Sequence, residues 1–167
     1  AGIVRHSLSR LSFMRLNKNV FADSVVMKAM QILDVACLKF CEGQHMALEF
    51  QERLDLSTDA YFNMVKGKTG ALMSCAMQLG ALTATQDENT IEAFGECGIQ
   101  IGTAHQIKSD VLDLWERRET DVHSGELLTK KKTFPIVYAL QQSRLRGSQQ
   151  LTQIYSKPNL QEVDVQN

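Results

Sequence analysis

The sequence of 167 residues is poor in proline, with only two, and in runs of β-branched residues, while it has seven methionines. This composition favours helix throughout. The chain also lacks an excess of charge, with 18 basic and 19 acidic residues, so nothing indicates a nucleic-acid-binding surface or a basic membrane-surface patch. None of the four cysteines forms a C-x-x-C pair, and no signal peptide is evident. We therefore expect a cytoplasmic all-α protein whose cysteines are reduced and mostly buried.

The one candidate for a membrane span is the uncharged stretch from Thr69 to Thr85. It contains Ser74, Gln78 and several glycines and alanines, so it falls short of the apolar length that a bilayer requires. A central helix of a large all-α domain explains it better. A chain of this length suits one domain with a real core, which we place at residues 1–155, followed by a polar tail at 156–167.

The spacing of apolar residues predicts long helices. Their predicted ranges are 1–16, 20–50, 58–65, 71–84, 90–118 and 135–146, with a short helix after 148. Ser57 or Thr58 is predicted to cap the third helix and Asn89 the fifth. The charged stretch 119–132 is predicted to be a loop, and Pro135 is a favoured residue in the first turn of a helix.

One predicted helix carries the residues on which a functional interpretation depends. Gln106, Asp110 and Asp113 follow one another at steps of four and three, so they share a helix face. Two carboxylates and a carboxamide make a poor core stripe because burying unpaired carboxylates is costly. They are suited to half of a site for a hard cation such as Mg²⁺, or to the solvated acidic face of an ordinary amphipathic helix.

Three glycines, Gly95, Gly98 and Gly102, lie on the same side of this helix as the carboxylates. A solvated face gains nothing from glycines, each of which costs about 1 kcal/mol relative to alanine inside a helix. The close approach of another helix, or of a ligand, would explain them.

Three weaker motifs are open to a functional or a structural interpretation. The segment from Lys66 to Gly70 suggests phosphate binding, because glycines expose backbone N–H groups and lysine supplies charge, although the spacing of a Walker loop is absent. Cys37, Cys41 and His45 share a helix face, which is a weak zinc signal without a fourth ligand. The run from Lys130 to Lys132 is interpreted as a solvated basic turn.

Taken in order, the motifs resemble those of the trans-isoprenyl diphosphate synthases, in particular the short-chain and geranylgeranyl-type members. The similarity covers nearly the whole chain and is strongest in combination. The motifs that carry it are Gly43-Gln44, Lys68-Thr69-Gly70-Ala71-Leu72, Gly80-Ala81, Gln106-Ile107-Lys108-Ser109-Asp110-Val111-Leu112-Asp113 and Lys131-Lys132-Thr133-Phe134-Pro135.

The resemblance implies a bundle of long helices around a deep cavity, and a Mg²⁺-dependent transferase of isoprenoid biosynthesis. In this family an allylic diphosphate ionises, the double bond of isopentenyl diphosphate attacks the allylic carbocation, and a proton is lost. Metal ions and cationic side chains neutralise the leaving diphosphate, while apolar walls shelter the carbocation. A homodimer or a heterodimer is also implied.

Carried over to this sequence, the resemblance assigns roles to seven residues. They are Asp110 and Asp113 as Mg²⁺ ligands, Gln106 as a polar neighbour of the reacting centre, Lys68 as a ligand of the allylic diphosphate, Thr69 beside the carbocation, Gln44 near Lys68, and Lys131 in a basic loop that closes over the phosphates.

The sequence departs from the family pattern at several positions. The second aspartate-rich motif is usually D-D-x-x-D, but its first aspartate is here Ser109, and the aspartate that usually follows Gln44 by three residues is here Ala47. An aspartate, an aromatic residue and a glycine of the family are replaced by Ile3, His105 and Lys130. The first aspartate-rich motif is absent, so we expect a C-terminal part of a synthase whose N-terminal helices are missing.

Two functions from different classes remain after these departures. The first is a prenyl diphosphate synthase that condenses an allylic diphosphate with isopentenyl diphosphate. The second is a catalytically degenerate subunit that binds and regulates an active synthase, which Ile3, Ala47 and Ser109 favour. A terpene cyclase on the same fold is less favoured, because Lys68-Thr69-Gly70 indicates chain elongation.

Overall fold

The computed structural model describes residues 2–15, 21–115 and 130–157. Within these ranges there are seven α-helices and no strand, which confirms the predicted all-α fold class. The helices are α1 (Gly2–Met14), α2 (Asp23–Glu49), α3 (Thr58–Val65), α4 (Ala71–Leu82), α5 (Glu88–Trp115), α6 (Phe134–Leu145) and α7 (Gln150–Ser156). Most of the predicted loop 119–132 and of the predicted tail 156–167 lies outside the described residues.

Two short segments continue the helices in other geometries. A 3₁₀ turn at Phe50–Glu52 follows α2, and a π-helical turn at Lys66–Gly70 joins α3 to α4. The sequence predicts an interruption at Lys66–Gly70, and the structure shows that the interruption is a widened helical turn. Such π turns occur frequently at functional sites.

The structure consists of two compact units. Of the described residues, the first contains 2–15, 21–42 and 66–103, and the second contains 43–65, 104–115 and 130–157. The long helices α2 and α5, of 27 and 28 residues, contribute to both units. The assignment of residues 1–155 to a single domain remains a prediction.

Small and aliphatic side chains form the core of the first unit. One buried cluster in it consists of Ala29, Ala81, Leu82 and Ile91, with Phe13, Val25, Ile32 and Leu79 packed against them. The small residues allow α4 and α5 to come close together.

The glycines of α5 lie where that closeness is greatest. A Cβ atom built on Gly98 would lie 2.6 Å from the Cα atom of Ser74, and one built on Gly102 would lie 2.9 Å from the Cα atom of Gly70 and from the carbonyl oxygen of Thr69. Backbone atoms at these distances leave no room for a side chain. Of the two explanations for the glycines, the close approach of a helix is the one that the structure shows.

Two clusters of larger side chains form the core of the second unit. The residues of the first cluster are Phe50, Leu56, Tyr61, Met64, Val65 and Val137, and those of the second are Ile136, Leu140 and Tyr155. Together they hold α3, α6 and α7 as one body. Burial of this apolar surface is the main stabilising contribution.

The helix caps confirm one prediction and correct another. The Ser57 side-chain oxygen accepts a hydrogen bond from the backbone N–H of Ala60 at 3.1 Å, so Ser57 caps α3 as predicted. The predicted cap of α5, Asn89, is wrong. The carboxylate of Asp87 accepts hydrogen bonds from the backbone N–H of Thr90 at 3.0 Å and from the Thr90 hydroxyl at 2.6 Å. Helix α5 begins at Glu88.

All four cysteines are free thiols, but the prediction that most of them are buried is wrong. Only Cys75 is buried; Cys37 is half-buried, and Cys41 and Cys97 are exposed. Burial raises the pKa of Cys75 to about 11. Among the described helices, none combines the length and apolarity that crossing a membrane requires.

Candidate functional site

The carboxylate of Asp110 lies at the centre of a hydrogen-bond network in the second unit. Its Oδ2 atom accepts the Tyr61 hydroxyl at 2.6 Å and the backbone N–H of Phe134 at 2.9 Å. Its Oδ1 atom accepts the Gln106 side-chain amide at 2.8 Å. Asp110 is only 2% exposed. The network therefore connects α5 with α3 and with the first residue of α6.

Tyr61 is a member of this network that the sequence analysis did not identify. It is fully buried, and its ring lies 5.9 Å from that of Phe62 and 5.5 Å from that of Phe134. Burial, together with the hydrogen bond to Asp110 and the charge of that carboxylate, raises the pKa of Tyr61 far above its usual value. Tyr61 thus remains a hydrogen-bond donor at neutral pH. The signal available in the sequence was a tyrosine on a core face, because a buried tyrosine hydroxyl usually has a partner.

The contacts of Asp110 leave little of its carboxylate for a metal ion. A carboxylate offers about four lone-pair sites, and here three are used by protein donors. Asp113 is exposed on the same helix. Across the part of the chain that the structure describes, no group of three or more His, Cys, Asp or Glu side chains is placed to hold a metal ion. These carboxylates do not fit a preformed Mg²⁺ site, and Asp113 is the more accessible of the two.

The remaining predicted site residues are divided between the units. Lys68 and Thr69 belong to the π turn of the first unit, where both are half-buried. Gln44 in α2 and Lys131 before α6 belong to the second unit and are also half-buried. Of the predicted site residues that lie in the second unit, Gln106 and Asp110 are joined by a direct hydrogen bond.

A cavity with a volume of 1210 Å³ lies in the first unit beside the π turn. Its lining includes Lys66 and Gly67 of that turn and apolar side chains such as Met30, Val35 and Ile91. Cavities that bind small molecules have volumes of several hundred Å³ to about 1,000 Å³. The cavity is therefore large enough for a small-molecule ligand, and its lining also carries charged side chains of both signs, among them Arg10, Lys39 and Glu92.

The prediction of a solvated turn at Lys130 to Lys132 is wrong for Lys132, which is buried. Its ammonium group donates hydrogen bonds to the carbonyl oxygens of Gln51 at 3.0 Å and Lys130 at 3.3 Å. It also lies 5.2 Å from the centre of the Tyr155 ring, within the range of a cation–π contact. Burial and the charge of Lys130 lower the pKa of Lys132, against an opposing effect of Glu52.

The backbone of Lys130 suits the glycine that the family resemblance places at this position. Lys130 has a φ of 56°, in the left-handed region that side chains with a Cβ atom disfavour. We expect Lys130→Gly to raise the free energy of unfolding by about 0.5–1 kcal/mol. Urea denaturation measures the change. Lys130→Ala is the control, since it removes the charge but keeps the Cβ atom; an equal gain from alanine would contradict the backbone explanation.

The buried phenol of Tyr155 predicts a loss of stability at alkaline pH. Burial raises the pKa of Tyr155 to about 12. The unfolded chain therefore loses this proton above pH 10 while the folded protein keeps it, so stability falls between pH 10 and 12, by about 2–3 kcal/mol for this group. Tyr155→Phe should make the decline in Tm above pH 10 less steep. Tyr138→Phe, which alters an exposed tyrosine, should leave it unchanged; equal pH profiles for wild type and Tyr155→Phe would refute the prediction.

Comparison with known proteins places this arrangement in a family. A sequence model of the family described as polyprenyl synthetase matches residues 6–167. The geranylgeranyl diphosphate synthase of Mycobacterium tuberculosis is 33% identical over 81% of this chain and 39% of its own length. A short chain isoprenyl diphosphate synthase of Methanocaldococcus jannaschii is 30% identical over 83% of this chain and 42% of its own length. The chain thus spans about two-fifths of the length of these curated relatives.

Solved structures show the same fold. The geranylgeranyl pyrophosphate synthetase of Pyrococcus horikoshii matches with a TM-score of 0.78 and 26% identity, over 92% of this chain and 46% of that one. A polyprenyl synthase of Caulobacter crescentus, complexed with calcium and isoprenyl diphosphate, matches with a TM-score of 0.73 and 28% identity, over 84% of this chain and 43% of that one. The sequence resemblance is confirmed, and the chain belongs to the polyprenyl synthetase family.

Proposed function

We propose that this chain forms part of a prenyl diphosphate synthase, a transferase that condenses an allylic diphosphate with isopentenyl diphosphate in isoprenoid biosynthesis. The observation that carries the proposal is the family match over residues 6–167, which includes all seven residues assigned from the motifs. The relative from Caulobacter crescentus was solved with calcium and isoprenyl diphosphate, which supports a divalent cation and a diphosphate as ligands here as well.

The side chains have chemically distinct parts in this proposal. Lys68 and Lys131 would neutralise the charge that develops on the leaving diphosphate. Thr69 and Gln106 would offer polar atoms beside the reacting carbon. Mg²⁺ is the cofactor that the family resemblance implies, and Asp113 is its more accessible candidate ligand.

Assembly and location extend the same proposal. Several large apolar side chains of α1 and α2 are exposed, among them Leu8, Leu11, Met14, Met27 and Leu38. If they form one contiguous patch, apolar residues of this kind are typical of an interaction site, so they are candidates for the contacts of a homodimer or heterodimer. The free thiols are consistent with the cytoplasmic location expected from the sequence.

Incubation of the full-length protein that contains this chain with dimethylallyl diphosphate, isopentenyl diphosphate and Mg²⁺ tests the proposed activity. We expect release of diphosphate and formation of a longer prenyl diphosphate, measured by mass spectrometry. Lys68→Met should reduce the rate at least 100-fold, whereas Lys108→Ala, which removes an exposed lysine of α5, should not. Absence of diphosphate release under every metal condition would exclude a synthase.

A second candidate function is a catalytically degenerate subunit of an active synthase. Ser109 in place of the first aspartate of the second motif favours it, as do the three hydrogen bonds that Asp110 accepts from protein donors. This candidate predicts activity only in the presence of a co-purifying synthase. Full activity of a pure homo-oligomer would eliminate it.

A further inference from the structure

Asp110 differs from a metal ligand in the number and kind of its contacts. A carboxylate that awaits a cation keeps lone pairs exposed, but Asp110 is 2% exposed and accepts three hydrogen bonds. Two of its donors come from residues far away in the chain, Tyr61 in α3 and Phe134 at the start of α6. Hydrogen bonds to an ionised acceptor are about twice as strong as neutral ones. These contacts indicate that the carboxylate holds elements together.

Asp110 holds the start of α6, and the turn just before it contains Lys131, a predicted ligand of the diphosphate. The Phe134 backbone N–H is bonded to Asp110, and only two residues separate Phe134 from Lys131. The backbone N–H of Thr133 donates to the Lys131 carbonyl oxygen at 3.0 Å, which closes a tight turn between them. The buried Lys132 fixes the same turn to the Gln51 carbonyl oxygen. Lys131 is thus followed directly by two anchored positions, Lys132 and Phe134.

We propose that Asp110 is a positioning residue whose carboxylate ties α3 and the start of α6 to α5 and thereby sets the place of Lys131, and that it does not ligate a metal ion. The proposal rests on the proposed diphosphate site for the role of Lys131. The Gln106 amide bonded to Asp110 has its orientation fixed by the same carboxylate. The second motif, which has already lost an aspartate at Ser109, then contributes Asp113 to a cation and Asp110 to the framework.

The change in Tm that a mutation causes in the metal-free protein has a different sign for a framework residue and for a metal ligand. Removing a metal-ligating carboxylate from a metal-free protein relieves charge repulsion and leaves Tm unchanged or higher. Removing an anchoring carboxylate leaves buried donors without an acceptor. In EDTA, Asp110→Asn should lower Tm by about 5–10 °C, while Asp113→Asn, on an exposed carboxylate of the same face, should shift it by less than about 2 °C. A Tm of Asp110→Asn equal to or above that of wild type would overturn the proposal.

The Tyr61→Phe variant tests positioning without altering any carboxylate. Titration with inorganic pyrophosphate at constant Mg²⁺ should show about ten-fold weaker binding to Tyr61→Phe, with an unchanged dependence on Mg²⁺ concentration. Asp113→Asn should instead shift the Mg²⁺ dependence. Lys131→Met shows how far the pyrophosphate affinity falls when a diphosphate-binding side chain is removed. Wild-type pyrophosphate affinity in Tyr61→Phe would overturn the proposal.

Hydrogen exchange keeps this test separate from the proposed function. If the wild type binds no pyrophosphate, the proposed diphosphate site fails, and the exchange rate of the Phe134 amide alone decides whether Asp110 fixes the turn. We expect exchange at Phe134 to be at least ten-fold faster in Asp110→Asn than in Asp113→Asn, measured without metal. Equal rates in the two variants would show that the carboxylate does not hold α6 in place.

Discussion

Replacement of Gly98 by alanine is expected to lower the free energy of unfolding by about 3 kcal/mol. The new Cβ atom would lie 2.6 Å from the Cα atom and 2.7 Å from the backbone nitrogen of Ser74. Backbone atoms inside a helix cannot rotate away, so α4 and α5 would have to separate. Overpacking of a close contact costs about 1–3 kcal/mol and occasionally more, which exceeds the gain of about 1 kcal/mol in helix propensity. Denaturation in urea measures the loss.

Two other glycines provide matched controls, since each receives the same methyl group in a helix. At Gly95 the nearest atoms belong to the end of the flexible Gln78 side chain, at 2.7 Å, so the side chain can move and the loss should stay below about 1 kcal/mol. At exposed Gly80 nothing lies within 4 Å, and alanine should stabilise the protein by about 0.5–1 kcal/mol. Similar losses for Gly98→Ala and Gly95→Ala would mean that backbone contact is not the cause.

The local structure was predictable from the sequence because it depends on local rules. Apolar spacing located the long helices, and the side chain of Ser57 identified the start of α3. The start of α5 was displaced by two residues, because Asp87 and Asn89 have nearly equal preferences for the cap position. Only the distances to the Thr90 N–H distinguish such neighbours. No local sequence rule predicts the π geometry of the turn at Lys66–Gly70, since the same residue types occur in α-helical and π-helical turns.

The candidate site was predictable where it lies on one helix and not where it depends on packing. Gln106 and Asp110 are four residues apart, so their hydrogen bond follows from helix geometry. The partners Tyr61 and Phe134 are 49 and 24 residues away from Asp110 in sequence. No spacing rule connects residues at such separations. A carboxylate whose position along a helix resembles that of a metal ligand can therefore have its lone pairs occupied by hydrogen-bond donors from other helices.

Lys132 lies in a run of three lysines, and no local pattern in the sequence shows that it is the buried one. Its replacement should have a large effect. Lys132→Ala is expected to lower the free energy of unfolding by about 3 kcal/mol. The Gln51 and Lys130 carbonyl oxygens lose their donor, the Tyr155 ring loses its cation, and the aliphatic stem leaves a gap. The matched control Lys108→Ala, at an exposed position of α5, should change stability by less than about 0.5 kcal/mol. Equal effects would mean that Lys132 is not an anchor.

The pH dependence of the same residue distinguishes its charge from its packing. Because burial lowers the pKa of Lys132 in the folded protein, the unfolded chain binds more protons in the interval between that lowered value and 10.5. Stability contributed through Lys132 must therefore rise with pH across this interval. Lys132→Met keeps the aliphatic stem and removes the titrating group, so its Tm should be lower at neutral pH and should lack the alkaline rise. A Lys132→Met profile parallel to that of wild type from neutral pH to pH 10 would show that burial does not lower the pKa of the Lys132 ammonium group.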